Sequence, residues 1–260
     1  MRHPAGTSGS RGAVRSGHRP FLLLSIRGED EAADDEYRSM RRFAGLDATG
    51  MRRIRLTHEP LGRIDLDDWS GIVLGGGPFN VSDPPEVKSA IQCRAESELL
   101  ALLQRIVEQD HPFLGCCYGV GTLGTVIGAT IDRTYAEPVG GVTVSVTDEG
   151  RDDPLFAPLP ATFEAFGGHR EAATTLPPGA VRLAASAGCP VQAFRVGRNV
   201  YATQFHPELD LDGMLTRIDV YKGHGYFAPE SAEALKSEVR RWDVRHAPTV
   251  LQQFVRRYAR

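Results

Sequence analysis

The sequence predicts an α/β protein: a mostly parallel sheet with helices on both faces, a three-layer sandwich, enlarged by antiparallel strands. Three observations carry this. Short continuous apolar runs, Phe21 to Ile26, Gly71 to Leu74 and Pro112 to Leu114, read as strands buried on both faces. Stretches with helical spacing alternate with them, which argues for a parallel sheet. Two of the runs end in glycine clusters, Gly75-Gly76-Gly77-Pro78 and Gly115-Cys116-Cys117-Tyr118-Gly119. Ligands of such sheets bind beyond the carboxyl ends of the strands, so the two clusters are expected side by side.

Taken in order, the strand at Phe21 to Ile26 leads into an acidic segment, Glu29 to Glu36. Tyr37, Met40 and Phe43 follow at spacing three. That is a helix with an acidic first turn, Arg41 and Arg42 in its last, and Gly45 as its stop. Arg53 to Thr57 alternates as a second strand, Ile64 to Trp69 is a link, and Gly71 to Leu74 is the third strand. Pro84 to Asp110 contains a long helical pattern with Leu99, Leu102, Leu103, Ile106 and Val107 on one face. After the fourth strand, Val120 to Ile127 starts a helix. The second half holds short strand-like segments at Gly141 to Thr147, Thr162 to Phe166, Val181 to Ala185, Gln192 to Val196 and Val200 to Thr203. Gly, Pro and Asn punctuate them, so they read as antiparallel hairpins. Leu209 to Val220, Ser231 to Val239 and Val250 to Tyr258 read as helices. Residues 1–19 are expected to be a disordered tail, 20–222 the main domain, and 223–260 a helical extension packed on the same domain.

Composition narrows the function. The 260 residues are 41% hydrophobic and carry a formal charge of −3, which points to neither a nucleic-acid nor a membrane surface. The four cysteines, at 93, 116, 117 and 189, form no Cys-x-x-Cys pair. A zinc site and a disulfide framework are therefore not expected, no metal or cofactor is invoked, and the cytoplasm is the expected compartment. Cys93, Cys116 and Cys189 read as small buried hydrophobes.

Cys117 reads differently. A strand ending in Gly-x-Cys-x-Gly and running into a helix is the elbow that exposes a nucleophile at a sheet end. Gly115 and Gly119 are expected to leave room for it, and the helix amino terminus to lower the thiol pKa. A cysteine nucleophile needs a base and an orienter for that base. His206 and Glu208, two apart in Gln204-Phe205-His206-Pro207-Glu208, project to one face of an extended segment and supply both. Taken alone, that pair would more often be a loop histidine and a helix-capping acid. The N–H groups of Tyr118 and Gly77 are the candidate oxyanion donors. The glycine run could instead cradle a phosphate, but no Lys-Ser/Thr follows it.

The three motifs, in this order, resemble the class I glutamine amidotransferases, the triad type on a flavodoxin-like α/β sheet. Within that family the look is nearest to the amidotransferase domain of GMP synthetase and its stand-alone relatives. The resemblance implies hydrolysis of a glutamine side-chain amide through a cysteine thioester, giving glutamate and ammonia. It implies Cys117 as nucleophile, His206 as base then acid, Glu208 as orienter, and Gly77 and Tyr118 at the oxyanion positions. His169, in Gly168-His169-Arg170-Glu171, and Gly76 are its candidate substrate-side residues. The partners implied are a small-molecule substrate, glutamine or a γ-glutamyl compound, and a synthase subunit on another polypeptide as ammonia acceptor. No ATP-binding P-loop pattern follows Glu208. One position departs from the family: where a glutamine often helps to hold the substrate, this chain has Gly121. That keeps open a γ-glutamyl hydrolase acting on peptides or amines. A non-catalytic partner subunit with the same fold is the reading from another class.

Overall fold

The computed structural model describes residues 19–260. The expected tail lies outside them except for Arg19, whose N–H donates to Arg260 O at 2.7 Å while its carbonyl accepts from Ser70 Oγ at 2.6 Å.

The elements are β1 (Phe21–Ser25), α1 (Asp30–Ala44), β2 (Met51–Arg55), β3 (Gly71–Leu74), α2 (Ala90–Gln109), β4 (Phe113–Cys116) and α3 (Tyr118–Ile127), then β5 (Thr130–Asp132), β6 (Glu137–Val146), α4 (Asp148–Arg151), β7 (Thr162–His169), β8 (Ala172–Thr175), β9 (Ala180–Ala185), β10 (Ala193–Val196), β11 (Val200–Thr203), α5 (Leu211–Tyr221), α6 (Ala232–Val239) and α7 (Thr249–Tyr258). Nine strands form one sheet in the order β2-β1-β3-β4-β11-β10-β9-β6-β7, and β5 pairs with β8 apart from it. β2, β1, β3, β4 and β11 are parallel, and the rest join antiparallel.

Side-chain alternation along the buried strands makes three layers. Phe21, Leu23, Val73 and Leu114 face Met40 of α1 and Leu251 and Phe254 of α7. Leu22, Leu24, Ile72 and Leu74 face Leu99, Leu103 and Ile106 of α2 and Leu123 of α3. The segment after residue 222 thus contributes α7 to the main core. α6 joins α5 in a smaller cluster around Phe166, Met214, Ile218 and Val239.

Several boundaries move from their expected places for local reasons. β2 begins two residues early because Gly50 O takes the N–H of Phe21 and brings Met51 opposite Phe21. The proline-rich start of the α2 pattern forms a one-turn 3-10 helix at Pro85–Val87. α2 itself starts after Ser89, whose side chain accepts from Gln92 N. α1 ends as expected at Gly45, which takes the left-handed conformation (φ 68°). β5, β8 and α4 were not foreseen: each is short and without a periodic apolar pattern.

Register decides what meets at the carboxyl edge. Leu24 lies opposite Leu74, Leu74 opposite Gly115, and Cys116 opposite Thr203. The residues leaving these strands, Ile26-Arg27, Gly75 to Gly77, Cys117 and Gln204 to His206, therefore emerge together. The two glycine clusters are neighbours, as expected from the parallel order.

Candidate active site

At the end of β4 the chain turns through Cys117 with φ 53° and ψ −87°, a conformation rare outside glycine. Such strain costs on the order of 1–3 kcal/mol and persists only where the surroundings enforce it. Here Cys117 N–H is pinned to Thr203 O at 2.7 Å, and α3 starts at the next residue. A Cβ at Gly115 would lie 2.8 Å from Gly119 Cα. Gly115 therefore matters for space, as expected, but Gly119 does not: a Cβ added there would meet nothing within 4 Å. What the turn requires is that residue 115 leave room for the backbone of residue 119.

Cys117 is half-buried, whereas Cys116 points away into the core. Near Cys117 stands His206. A Cβ at Gly76 would come 3.2 Å from Cys117 Cβ and 3.3 Å from His206 Nε2, so both side chains lie against the bare Gly76 Cα, while Cys117 Sγ is 4.0 Å from Gly168 O. His206 Nδ1 lies 2.7 Å from Glu208 Oε1. A carboxylate only accepts, so Nδ1 carries the proton and Nε2 is left as the basic nitrogen. Arg217 Nη2 donates to the same Glu208 oxygen at 2.8 Å.

The electrostatics follow from burial. Burial pushes the His206 imidazole below its ordinary value, and Glu208 only partly opposes this. Burial would raise the Glu208 carboxyl, but His206 and Arg217 together hold it well below the usual carboxylate range. Because the guanidinium is always charged, Arg217 is the partner that keeps Glu208 ionised while His206 stays neutral. Burial also pushes the Cys117 thiol up to about 12. This corrects the expectation of a lowered thiol: desolvation outweighs the pull of the Arg27 and Arg217 charges, which favours a neutral thiol beside a neutral imidazole. The expected consequence is an acid limb of kcat/KM lying below the ordinary imidazole value of 6.5, because His206 keeps its free nitrogen to lower pH. No thiol limb should appear short of about 12. An initial-rate pH series checks both, and an acid limb above 6.5 would contradict the assignment of a neutral buried His206.

Gly77 and Tyr118 both border Cys117 on the side of Asn80 and Gln204. Neither N–H donates to another described residue, which leaves both available to a developing oxyanion. Gly76 lies against both Cys117 and His206. His169 is buried, with Nδ1 2.9 Å from Glu171 O and Nε2 3.0 Å from Glu137 Oε2. It borders the same space, but both ring nitrogens are occupied. Glu137, His169 and Cys189 bring ligand-type atoms within 4.8 Å of one another. Glu137 already accepts from Ser186 and Gln192, and the Cys189 thiol, pushed up to about 11 by burial, donates to Val191 O. Cys93 is exposed, contrary to expectation, on the outer face of α2.

Four residues were missed. Arg27, Glu36 and Arg217 form a buried charged group behind His206. Arg27 Nε donates to Glu36 Oε1 at 2.9 Å, Ser25 Oγ donates to Glu36 Oε2 at 2.9 Å, and Arg217 Nη2 lies 3.9 Å from Glu36. The glycine loop lies directly on them: a Cβ at Gly75 would fall 2.6 Å from Glu36 Oε2. A signal existed in the sequence, since Glu36 shares the buried face of α1 with Ala32, Ala33 and Met40. Gln204 is the fourth, with Nε2 3.9 Å from Cys117 Sγ and Oε1 buried without a partner.

The fold and this edge-of-sheet cysteine site define a class, and the comparisons with known proteins agree with it. Residues 48–218 match the glutamine amidotransferase class-I family, and the chain belongs to that family. It is 31% identical over 169 residues to a glutamine-hydrolysing GMP synthase of Thermomicrobium roseum, covering 61% of this chain and 28% of that protein. It is 29% identical over 147 residues to a Thermoplasma acidophilum protein named as one subunit of a glutamine-hydrolysing GMP synthase, covering 56% of this chain and 66% of that one. The chain thus spans only part of these relatives. Among solved structures, a glutamine amidotransferase of Thermotoga maritima superposes with a TM-score of 0.73 at 21% identity, covering 93% of this chain and 99% of that one. Among the described residues no helix is long and apolar enough to cross a membrane.

Proposed function

We propose that the chain hydrolyses the side-chain amide of glutamine, or a closely similar γ-glutamyl amide, through a thioester on Cys117. The observation that carries this reading is the Cys117–His206 pair lying against Gly76, with Glu208 and Arg217 holding the imidazole from behind. Cys117 Sγ attacks the γ-carbonyl carbon as its proton passes to His206 Nε2. The Gly77 and Tyr118 N–H groups receive the oxyanion. The C–N bond breaks, and ammonia leaves with the proton that His206 held. Water, deprotonated by His206, then attacks the thioester, and the C–S bond breaks to give glutamate and the free thiol. Ammonia would pass to a synthase on another chain, a role suggested by relatives named as glutamine-hydrolysing GMP synthases, one of them a separate subunit.

A γ-glutamyl hydrolase is the second reading, kept open by Gly121 standing where the family often has a glutamine. The space above Gly121 is filled by Glu171: a Cβ at Gly121 would lie 2.5 Å from Glu171 Oε1. The Glu171 carboxylate accepts from Val81 N and Ser82 N at 2.9 and 2.8 Å, and burial raises its carboxyl. Glu171 thus borders the pocket beside Cys117, where it would suit the ammonium that glutamine and γ-glutamyl compounds share; the departing group is what separates the two readings.

The test is release of ammonia and glutamate from L-glutamine, with mass spectrometry after treatment with a glutamine-analogue electrophile. Turnover together with an adduct on Cys117 is expected; neither signal would overturn the reading. Glu208→Gln is expected to slow turnover roughly 10³–10⁴-fold, as when a triad acid is neutralised, while Cys117 still takes the label. Unchanged turnover would remove Glu208 from the mechanism.

A further inference from the structure

Cys117 stands between two cavities of different chemistry. The first, polar, is bordered by Gly77, Asn80, Tyr118, Glu171 and Gln204. The second is walled by Leu209, Met214, Ile218, Tyr221 and Phe227, with Arg27 at its floor. His206 borders only the second, and Tyr118 only the first. Gly77, Gly168 and Tyr226 border both, so the two spaces adjoin at Cys117, with Tyr118 on the first side and the proton-donating His206 on the second. A bound γ-glutamyl amide must then place its glutamyl half in the polar cavity and release its amine into the apolar one.

That second cavity is larger than ammonia needs. The space open to the centre of a water-sized molecule is about 60 Å³, where one such molecule requires ~10–15 Å³. Apolar side chains make up most of its walls and gain nothing from ammonia; Arg217, already bound to Glu208, also borders it. Its floor is a buried guanidinium with one arm uncommitted. Arg27 Nε donates to Glu36 and Nη1 to Tyr221 Oη, but Nη2 makes no hydrogen bond to any described residue.

We infer that this cavity is a leaving-group subsite for an amino acid, so that the preferred substrates are γ-glutamyl peptides whose second residue is apolar. The inference rests on the γ-glutamyl reading above. The apolar side chain packs on Met214, Ile218 and Phe227, and the peptide's carboxylate meets Arg27 Nη2. On acylation the C–N bond breaks, its electron pair stays on the peptide nitrogen, and that nitrogen takes the proton from His206. The amino acid leaves into the cavity, and water completes the cycle as before.

The experiment compares kcat/KM of the full chain on L-glutamine, γ-Glu-Gly, γ-Glu-Phe and the carboxamide of γ-Glu-Phe, reading amino-acid release. Burial of one aromatic side chain sets the expected preference for γ-Glu-Phe over γ-Glu-Gly and glutamine at about tenfold or more. The carboxamide is expected about tenfold below the free acid, as for loss of one charge-assisted contact. Phe227→Ala should narrow the γ-Glu-Phe to γ-Glu-Gly ratio. If glutamine is hydrolysed and γ-Glu-Phe is no faster than γ-Glu-Gly, the subsite is overturned while the Cys117 chemistry stands. Equal rates for acid and carboxamide would also overturn it, by removing Arg27. If no compound turns over and the glutamine-analogue electrophile leaves Cys117 unlabelled, both readings fall; labelling without any turnover overturns the subsite alone.

Discussion

Cys117→Ala is expected to reduce amide hydrolysis to background, a fall of roughly 10⁴–10⁶-fold, as when other covalent enzymes lose their nucleophile. The fold should survive the change. Alanine keeps the Cβ that the turn already accommodates, and the hydrogen bond from residue 117 N–H to Thr203 O involves only backbone. Thermal unfolding beside the wild type, with turnover on glutamine and γ-glutamyl peptides, separates the two effects. Residual turnover within about tenfold of wild type would move the nucleophile elsewhere. Cys116 is no substitute, being fully buried on the opposite side of the strand.

Glu36→Ala is expected to have the largest effect on stability. Glu36 has no solvent exposure and accepts from both Ser25 Oγ and Arg27 Nε. Its removal strands the Arg27 guanidinium inside the protein. Breaking a buried pair by deleting one partner typically costs about 3–5 kcal/mol. For a chain of this size that lowers Tm by roughly 6–20 °C. A second consequence is specific to the site. Glu36 lies under Gly75, so the loop carrying Gly76 and Gly77 loses its support, and turnover should fall even at temperatures where the variant is folded. A Tm within about 2 °C of wild type would mean that water or another acceptor satisfies the Arg27 and Arg217 guanidiniums in place of the carboxylate.

Much of this was legible in the sequence because it is written in local terms. Buried parallel strands declare themselves as unbroken apolar runs, and Phe21–Ser25 and Gly71–Leu74 are of that kind. The elbow at Cys117 is legible because glycine on either side of a cysteine marks a turn. The structure then shows that only Gly115 is needed for space. His206 and Glu208 are read from their spacing, and their 2.7 Å contact agrees with it. The residues that sequence reasoning misses are brought to the site by the packing of whole elements. Arg27 and Tyr221 meet 194 positions apart and Gln204 and Cys117 87 apart, while Arg217, near Glu208 in sequence, reaches it only because α5 packs behind the site. The direction of the thiol shift was misjudged for the same reason. A helix amino terminus is visible in the sequence, but the burial that raises the thiol is set by residues brought around Cys117 from distant parts of the chain, Tyr226 and Leu209 among them.

A thiol that keeps its proton also bears on how the protein ages. Peroxide and simple alkylating agents attack the thiolate, so an idle site with a neutral sulfur offers them little to react with. The adjacent Cys116 offers no refuge, since it faces the core and cannot close a disulfide with its neighbour without breaking the strand. Any sulfenic acid formed on Cys117 would wait for a thiol from outside. On the proposed mechanism an occupant that lets His206 draw off the proton would expose the sulfur, so oxidative damage is expected to accumulate with use and not with storage.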